Sequence, residues 1–489
     1  MIRFFALLLG FFLVFDFADA QKISISPPFK LPARTEKIRV IGKNQDGYVI
    51  RLSASSEVFA VFNNDMKLSS VKTFELKNGD DFIQHVQLYK SGAAVYYLHG
   101  EKSFTLLLAQ IVNSKFQEVG NPIVVDTLWD NIETANANMR MKQSIDQRFT
   151  AFYIPIFGSQ TIESMQTVCV DKNASRVSKT YLPIHKSDRD LSFSKMVIDT
   201  FGNTMLLFND GRNSIKAVLS ERAVPGEIKT LSIPMQKSIF GEPYIEIDNK
   251  NNHLLIAGFY DDEITMSEAA AYGFFYKSYD YKTGITNDDR LVAFPDTFIQ
   301  NLTGRQASES NNRLYTFTIR KVLQREDGGI LISAESSFRD KRQEAVMPSM
   351  GMGYGMMGMG GGGYSYRTIN IFQYNDIIAF SIDKNGNIDW SKVMHKKQYS
   401  EDDDGNSSSY FLSNQKDVLY FIFPEEISTN ADADEYILQS NGNIDKRHLF
   451  SQEEKDVFLI PKLGKQTAKN ETIIPSAKGG SLRLVRFVF

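Results

Sequence analysis

The chain has 489 residues, with 55 Lys and Arg against 58 Asp and Glu, for a formal net charge of −3. No global basic field exists to draw nucleic acid or anionic lipid onto it, so nucleic acid is excluded as a partner. With 36 Phe, 21 Tyr and one Cys, the chain is rich in β-prone aromatics and forms no internal disulfide.

The first residues read as an export leader. Arg3 supplies the positive region, residues 4–15 the apolar core, and Ala18-Asp19-Ala20 the small-x-small cleavage site, so the mature chain starts at Gln21. Asp16 and Asp19 interrupt the apolar run before the roughly 20 residues that a membrane span needs. No later stretch suits a transmembrane helix. Residues 21–36 form a polar lead-in broken by Pro27, Pro28 and Pro32, which we expect to be extended. Cys169 lies in the apolar run 165–170 and reads as a small buried hydrophobe.

From residue 37 onward one pattern recurs: a turn, then a β-run. Turns at Gly47, Gly92, Gln147, Gly202, Asn251, Gly328, Lys416 and Gly480 each precede such a run. Their spacing resembles propeller blades of roughly 40–50 residues lengthened by loops. Within a unit the runs repeat as strand, connection, strand, tight turn, strand: 254–260, 273–279 and the turn 282–284; 330–335, 377–382 and Asn385-Gly386; 418–423, 435–438 and Asn441-Gly442. The word Asn-Gly-Asn-Ile-Asp stands at 385–389 and again at 441–445, a spacing of 441 − 385 = 56. Asn-Gly between β-prone runs signals a hairpin. The expectation is an all-β fold over 37–489: a β-propeller of about seven four-stranded blades, its ring closed by the C-terminal strands with the N-terminal strand. The nearest helical candidate is 130–144, polar nearly all round and readable as a short helix or a loop.

One segment breaks the pattern. Residues 347–366 hold six of the 16 Met and eight of the 32 Gly. Gly at this density costs too much ordering entropy for a packed element, so we read an insertion between two strands of one blade. Met350, Met352, Tyr354, Met356, Met357 and Met359 make it an adaptable contact surface for a protein partner. The same five methionines, Met350, Met352, Met356, Met357 and Met359, are soft donors that would suit Cu(I), an alternative reading. Gly353 to Gly358 spells GxGxxG, but it neither follows a strand in a βαβ unit nor opens a helix, so it carries no dinucleotide reading. Asp383, Asn385, Asn387 and Asp389 place oxygen side chains at alternate positions, as calcium loops do; the competing reading is a hairpin turn built of turn formers. The acidic run 401–404 is a second, weaker calcium candidate. The six His show no metal-ligand spacing, and no catalytic or cofactor motif is present. No catalytic or cofactor-binding residue is therefore assigned, no cofactor is expected, and the sequence reads as that of a protein that is not an enzyme.

The stretch 376–423, with Asp-Ile-Ile and Gly-Asn-Ile-Asp-Trp-Ser-Lys, resembles a group of exported Gram-negative proteins with propeller-like blade repeats. That resemblance implies a periplasmic or outer-membrane-associated location. It also implies an outer-membrane complex as partner, in one form a type IX export channel that the protein caps or plugs. The expected function is a protein-binding propeller; the alternatives are a glycan-acting enzyme or a copper protein using the Met-rich segment.

Overall fold

The computed structural model describes residues 21–76, 81–129, 131–157, 162–183, 192–209, 214–224, 226–261, 271–304, 314, 316–346, 365–428 and 430–489. Eight antiparallel sheets account for the strands, seven of them built from consecutive chain. We call them blades 1 to 7: residues 37–74, 82–128, 140–183, 192–234, 238–293, 317–401 and 411–451. Blade 8 takes its inner three strands from the C-terminus (Lys465–Ala468, Glu471–Lys478 and Ser481–Val488) and its outer strand from the N-terminus, Lys22–Ile25. In that seam Lys22 lies opposite Val488 and Ile25 opposite Val485.

The β-runs are nearly continuous in apolar residues because the middle strands of each blade are largely buried on both faces. Successive side chains point to opposite faces, so one run feeds two cores. In blade 6, Ile378, Phe380 and Ile382 pack toward blade 5, whereas Ile377 and Ala379 pack toward blade 7. In blade 1, Val49 and Phe59 face blade 2, while Ile50 and Ala60 face blade 8. Each blade pair shares a core of this kind, and the series returns to its start: Ile422 and Phe450 of blade 7 meet Val485 and Phe487 of blade 8, whose Ile473 and Leu484 meet blade 1. The result is a β-propeller-like all-β fold. Across the last seam, Tyr48 of blade 1 donates to Glu471 at 2.8 Å and Lys43 pairs with the same carboxylate at 3.1 Å.

Two expectations are corrected here. The blade number is eight, not about seven. Lys465–Ala468, only four residues and none of them bulky and apolar, is the first strand of an independent eighth blade, not part of the closure of another. The N-terminal closing strand lies in the stretch read as a lead-in: Lys22–Ile25 precedes the prolines and, with Phe29–Lys30, pairs along Ser481–Val488. The region 130–144 divides into a short helix, Ile132–Asn138, and the first strand of blade 3, Arg140–Gln143. Asn131 caps the helix by accepting from the Thr134 amide at 2.8 Å. A second helix, Asp296–Thr303, seats Phe298 and Ile299 in the core between blades 5 and 6.

The repeated word is the hairpin joining the third and fourth strands of blades 6 and 7. In blade 6 the Asp383 carboxylate accepts from the amides of Asn385 and Asn387, each at 2.8 Å, closing an Asx turn. The preceding blade covers each of these turns with one side chain. Lys229 of blade 4 donates to the carbonyl of Lys282, Arg290 of blade 5 to that of Asp383, and Trp390 of blade 6 to that of Ser440. Trp390 also lies on Gly442, where an added Cβ would stand 2.7 Å from the indole and φ is +83°. Gly442→Ala is therefore expected to cost about 1–3 kcal/mol, from left-handed backbone at about 1–2 kcal/mol and the clash above it. Thermal unfolding followed by Trp fluorescence checks this. Trp129, the second of the two Trp, is 83% exposed, so a shift on mutation reports Trp390.

Candidate functional site

Neighbouring blades approach each other most closely through their first strands, which places those strands around the central axis. Six of these inner strands carry a register shift: at Val40/Gly42, Ile83/His85, Phe193/Lys195, Phe240/Tyr244, Ile319/Lys321 and Gln466/Ala468. A bulge re-aims the side chains beside it. Here those side chains are largely cationic or aromatic. Lys195 of blade 4 and Lys321 of blade 6 flank the Tyr244 ring of blade 5, at 5.3 and 5.8 Å from its centroid. Lys465 of blade 8 reaches the Ile41 carbonyl of blade 1 at 2.6 Å.

Some of these cations have counter-ions. Lys43 pairs with Glu471, Lys321 with Glu246 and Arg320 with Glu335. Among the described residues, Arg39, Lys142, Lys195, Lys462 and Lys465 have no carboxylate within ion-pair distance. Burial pushes Arg39, Lys195, Lys462 and Lys465 below their ordinary values, with neighbouring cations adding to the effect at the first three. Burial, with Lys465, Arg39 and Arg51 in range, drives His85 down to about 3, so it stays neutral at physiological pH. The inner wall is thus cationic in a chain whose net charge is −3.

Blade 6 carries the second feature. Its second and third strands, Ile330–Val346 and Ser365–Ile382, run well past the blade. After a bulge at Glu335/Ser337 they stay paired from Ser337↔Tyr374 to Val346↔Ser365, a two-stranded arm of roughly 30 Å at about 3.4 Å per residue. Residues 338–344 are exposed without alternation, while on the facing strand Ile369, Ile371 and Phe372 are buried. Gln398–Glu401 adds a third strand at the root, opposite Ile371–Tyr374. Acidic side chains fasten it: Arg342 pairs with Glu401 at 3.2 Å and Arg367 with Asp402 at 2.9 Å.

The root is a buried polar network. Glu335 is fully buried and receives Lys396 at 2.8 Å, Arg320 at 3.0 Å and the Ser409 hydroxyl at 2.6 Å. Lys396 also donates to the Tyr374 carbonyl and to Gln398, each at 3.0 Å. Beside it Lys462, on the short 3-10 turn Pro461–Leu463, hydrogen-bonds the Tyr374 hydroxyl and sits 3.8 Å from its ring centroid. A cavity of about 770 Å³ opens against this network, lined by residues from the inner edges of blades 6 and 7 and from the turn before blade 8.

The residues singled out from the sequence fall elsewhere. Met350, Met352, Tyr354, Met356, Met357 and Met359 lie outside the described residues, in the stretch joining Val346 to Ser365. The four alternating oxygen residues are not brought together. Asp383, Asn385 and Asn387 build the Asx turn, and Asp389 pairs with Arg325 instead. In the acidic run, Asp403 is used by the amides of Gly405 and Ser407, and Glu401 and Asp402 by the arm. No group of three or more His, Cys, Asp or Glu suited to a metal occurs among the described residues. Cys169 is buried, and burial lifts its thiol to about 12. Sequence reasoning missed the inner-wall cations. Their signal is one Lys or Arg inside a short apolar run, visible only once the blades are aligned on their turns.

No family model and no curated protein matches the chain. Among solved structures, it resembles prolyl oligopeptidase B from Galerina marginata at 6% identity and a TM-score of 0.41, over 95% of this chain and 55% of that one. It resembles an acylaminoacyl peptidase from Pyrococcus horikoshii at 10% identity and 0.36, over 93% and 58%. A Bacteroides caccae protein of unknown function follows at 12% and 0.28, over 73% and 93%. The chain spans just over half the length of the two peptidases. The exclusion of an enzyme on sequence grounds is corrected: it rested on missing motifs, and the solved structures that the chain resembles include peptidases. No helix among the described residues is long and apolar enough to cross a membrane.

Proposed function

We propose that the chain is a protein-binding propeller of the periplasm or outer membrane that docks on a membrane-protein complex through the arm of blade 6. The observation that supports this is the arm itself: ten cross-strand pairs carried beyond the blade, anchored at the root by a buried ion-pair network. A two-stranded extension of that length is costly to order, and its strand 338–344 is exposed throughout. The Met- and Gly-rich sequence joins the two strands of this arm, and its soft, adaptable side chains suit a partner surface. The leader-like pattern of residues 1–20 in the sequence supports that compartment. Capping or plugging an export channel is the specific form this reading takes.

The test is affinity purification from detergent-solubilised envelope, with wild type beside a variant whose residues 341–370 are replaced by Asn-Gly. Asp340 and Ile371 are a cross-strand pair, so a two-residue turn closes the shortened hairpin. The expected result is a stoichiometric membrane-protein partner with wild type, lost from a variant that melts like wild type. Wild type purifying alone, or the partner remaining on the shortened arm, overturns the reading.

A further inference from the structure

The cavity beside the arm root has a wall chemistry that docking does not use. Its charged lining residues are three cations, Arg320, Lys321 and Lys462, and its polar ones include Asn406, Ser409 and Gln466; no carboxylate lines it. Arg320 and Lys321 are already matched by Glu335 and Glu246. Lys462 is not: its polar contact is the neutral Tyr374 hydroxyl, and its ammonium rests against that ring. Ser409, Asn406 and Gln466 already donate to Glu335, Asp403 and Lys469, so the Lys462 ammonium, held over an aromatic face, is the lining cation left to meet an oxyanion.

We propose that this cavity is a binding site for an oxyanion, a carboxylate, sulfate or phosphate group carried by a polar ligand, with Lys462 as its direct counter-ion. The unmatched Arg39, Lys142, Lys195 and Lys465 elsewhere on the inner wall focus the field that draws such a ligand in. Four charged groups act on Lys462. Arg320 comes from the first strand of blade 6 and Lys396 from the turn after its fourth, and both disfavour the ammonium, as burial does. Glu335 from the second strand and Asp403 from the loop beyond favour it. The balance puts the Lys462 ammonium at about 8, so an anion bound beside it should hold the proton on.

Calorimetric titration of the full mature chain with citrate, inorganic sulfate and pyrophosphate, at low ionic strength, tests the site and distinguishes the three chemistries. At least one should bind more tightly than about 1 mM at pH 7 and weaken as pH rises past about 8. Lys462→Gln should weaken that binding at least about tenfold and flatten its pH dependence, while Lys469→Gln, on an exposed turn, should change neither. No binding of any of the three, or equal binding by Lys462→Gln, overturns the proposal. The wild-type titration stands even if the variant folds poorly. Because the arm is intact in every sample, failure here leaves the docking reading untouched.

Discussion

Glu335→Ala is expected to destabilise the protein by roughly 3–5 kcal/mol, the cost of leaving a buried charge without its partner. Lys396 has 1% of its side chain accessible and would keep only the Tyr374 carbonyl and Gln398 as acceptors. Arg320 and Ser409 would also lose an acceptor. The paired change Glu335→Leu with Lys396→Met should recover much of the loss, because two apolar side chains remove both desolvation costs at once. Denaturant unfolding of the two single variants and the double variant measures the coupling. Hydrogen exchange adds location: in Glu335→Ala, protection should fall first at Ile371–Tyr374 and Gln398–Glu401, the two strands that the network joins. A single variant within about 0.5 kcal/mol of wild type would show that the network does not anchor the arm.

Removing residues 21–26 is expected to cost roughly 2–4 kcal/mol and to promote self-association. Lys22–Ile25 is the outer strand of blade 8, and Ile23 and Ile25 pack against the core shared by Phe487, Val485 and blade 7. Both isoleucines are half-buried, so each contributes at the low end of the usual 1.5–3 kcal/mol. Their loss also leaves the outer edge of Ser481–Val488 without a partner along residues 485–488, an unpaired ladder able to recruit another chain. Thermal melting and light scattering on the shortened chain measure both effects. A chain starting at Pro27 that melts like wild type and stays monomeric would show that the outer strand is not needed to close blade 8.

Much of the blade repeat was legible because its signals are local. A turn followed by a doubly buried strand gives an unbroken apolar run after Gly, Asn or Asp, and seven of the eight turn markers sit directly ahead of a second strand. The eighth, Gly480, precedes the third strand of blade 8 instead. The repeated Asn-Gly-Asn-Ile-Asp was legible for the same reason: Asp383 closes its turn with amides two and four residues away. Cys169 was legible as core because the residues on either side of it are apolar and β-branched.

What was not legible depends on partners distant in the chain. Lys465–Ala468 carries no apolar pattern and is a strand only because Glu471–Ile473 folds back on it. Lys22–Ile25 has too few residues to declare itself, and its partner lies more than 450 positions away. Residues 337–344 are highly charged and no alternation marks them, since every side chain from 338 to 344 is exposed.

The sequence by itself determined the all-β class, the strand-turn grammar of each blade and the burial of its apolar runs, because β-propensity, turn chemistry and two-residue periodicity act over a few residues. The tertiary structure alone decided the blade count, the seam and the site. Lys462 meets Tyr374 across 88 positions, and Ser409 meets Glu335 across 74. The inner wall acquires its charge only when strands from separate blades are set around one axis. Electrostatic fields and cavities are sums over neighbours in space, and a linear pattern holds no record of which neighbours those are.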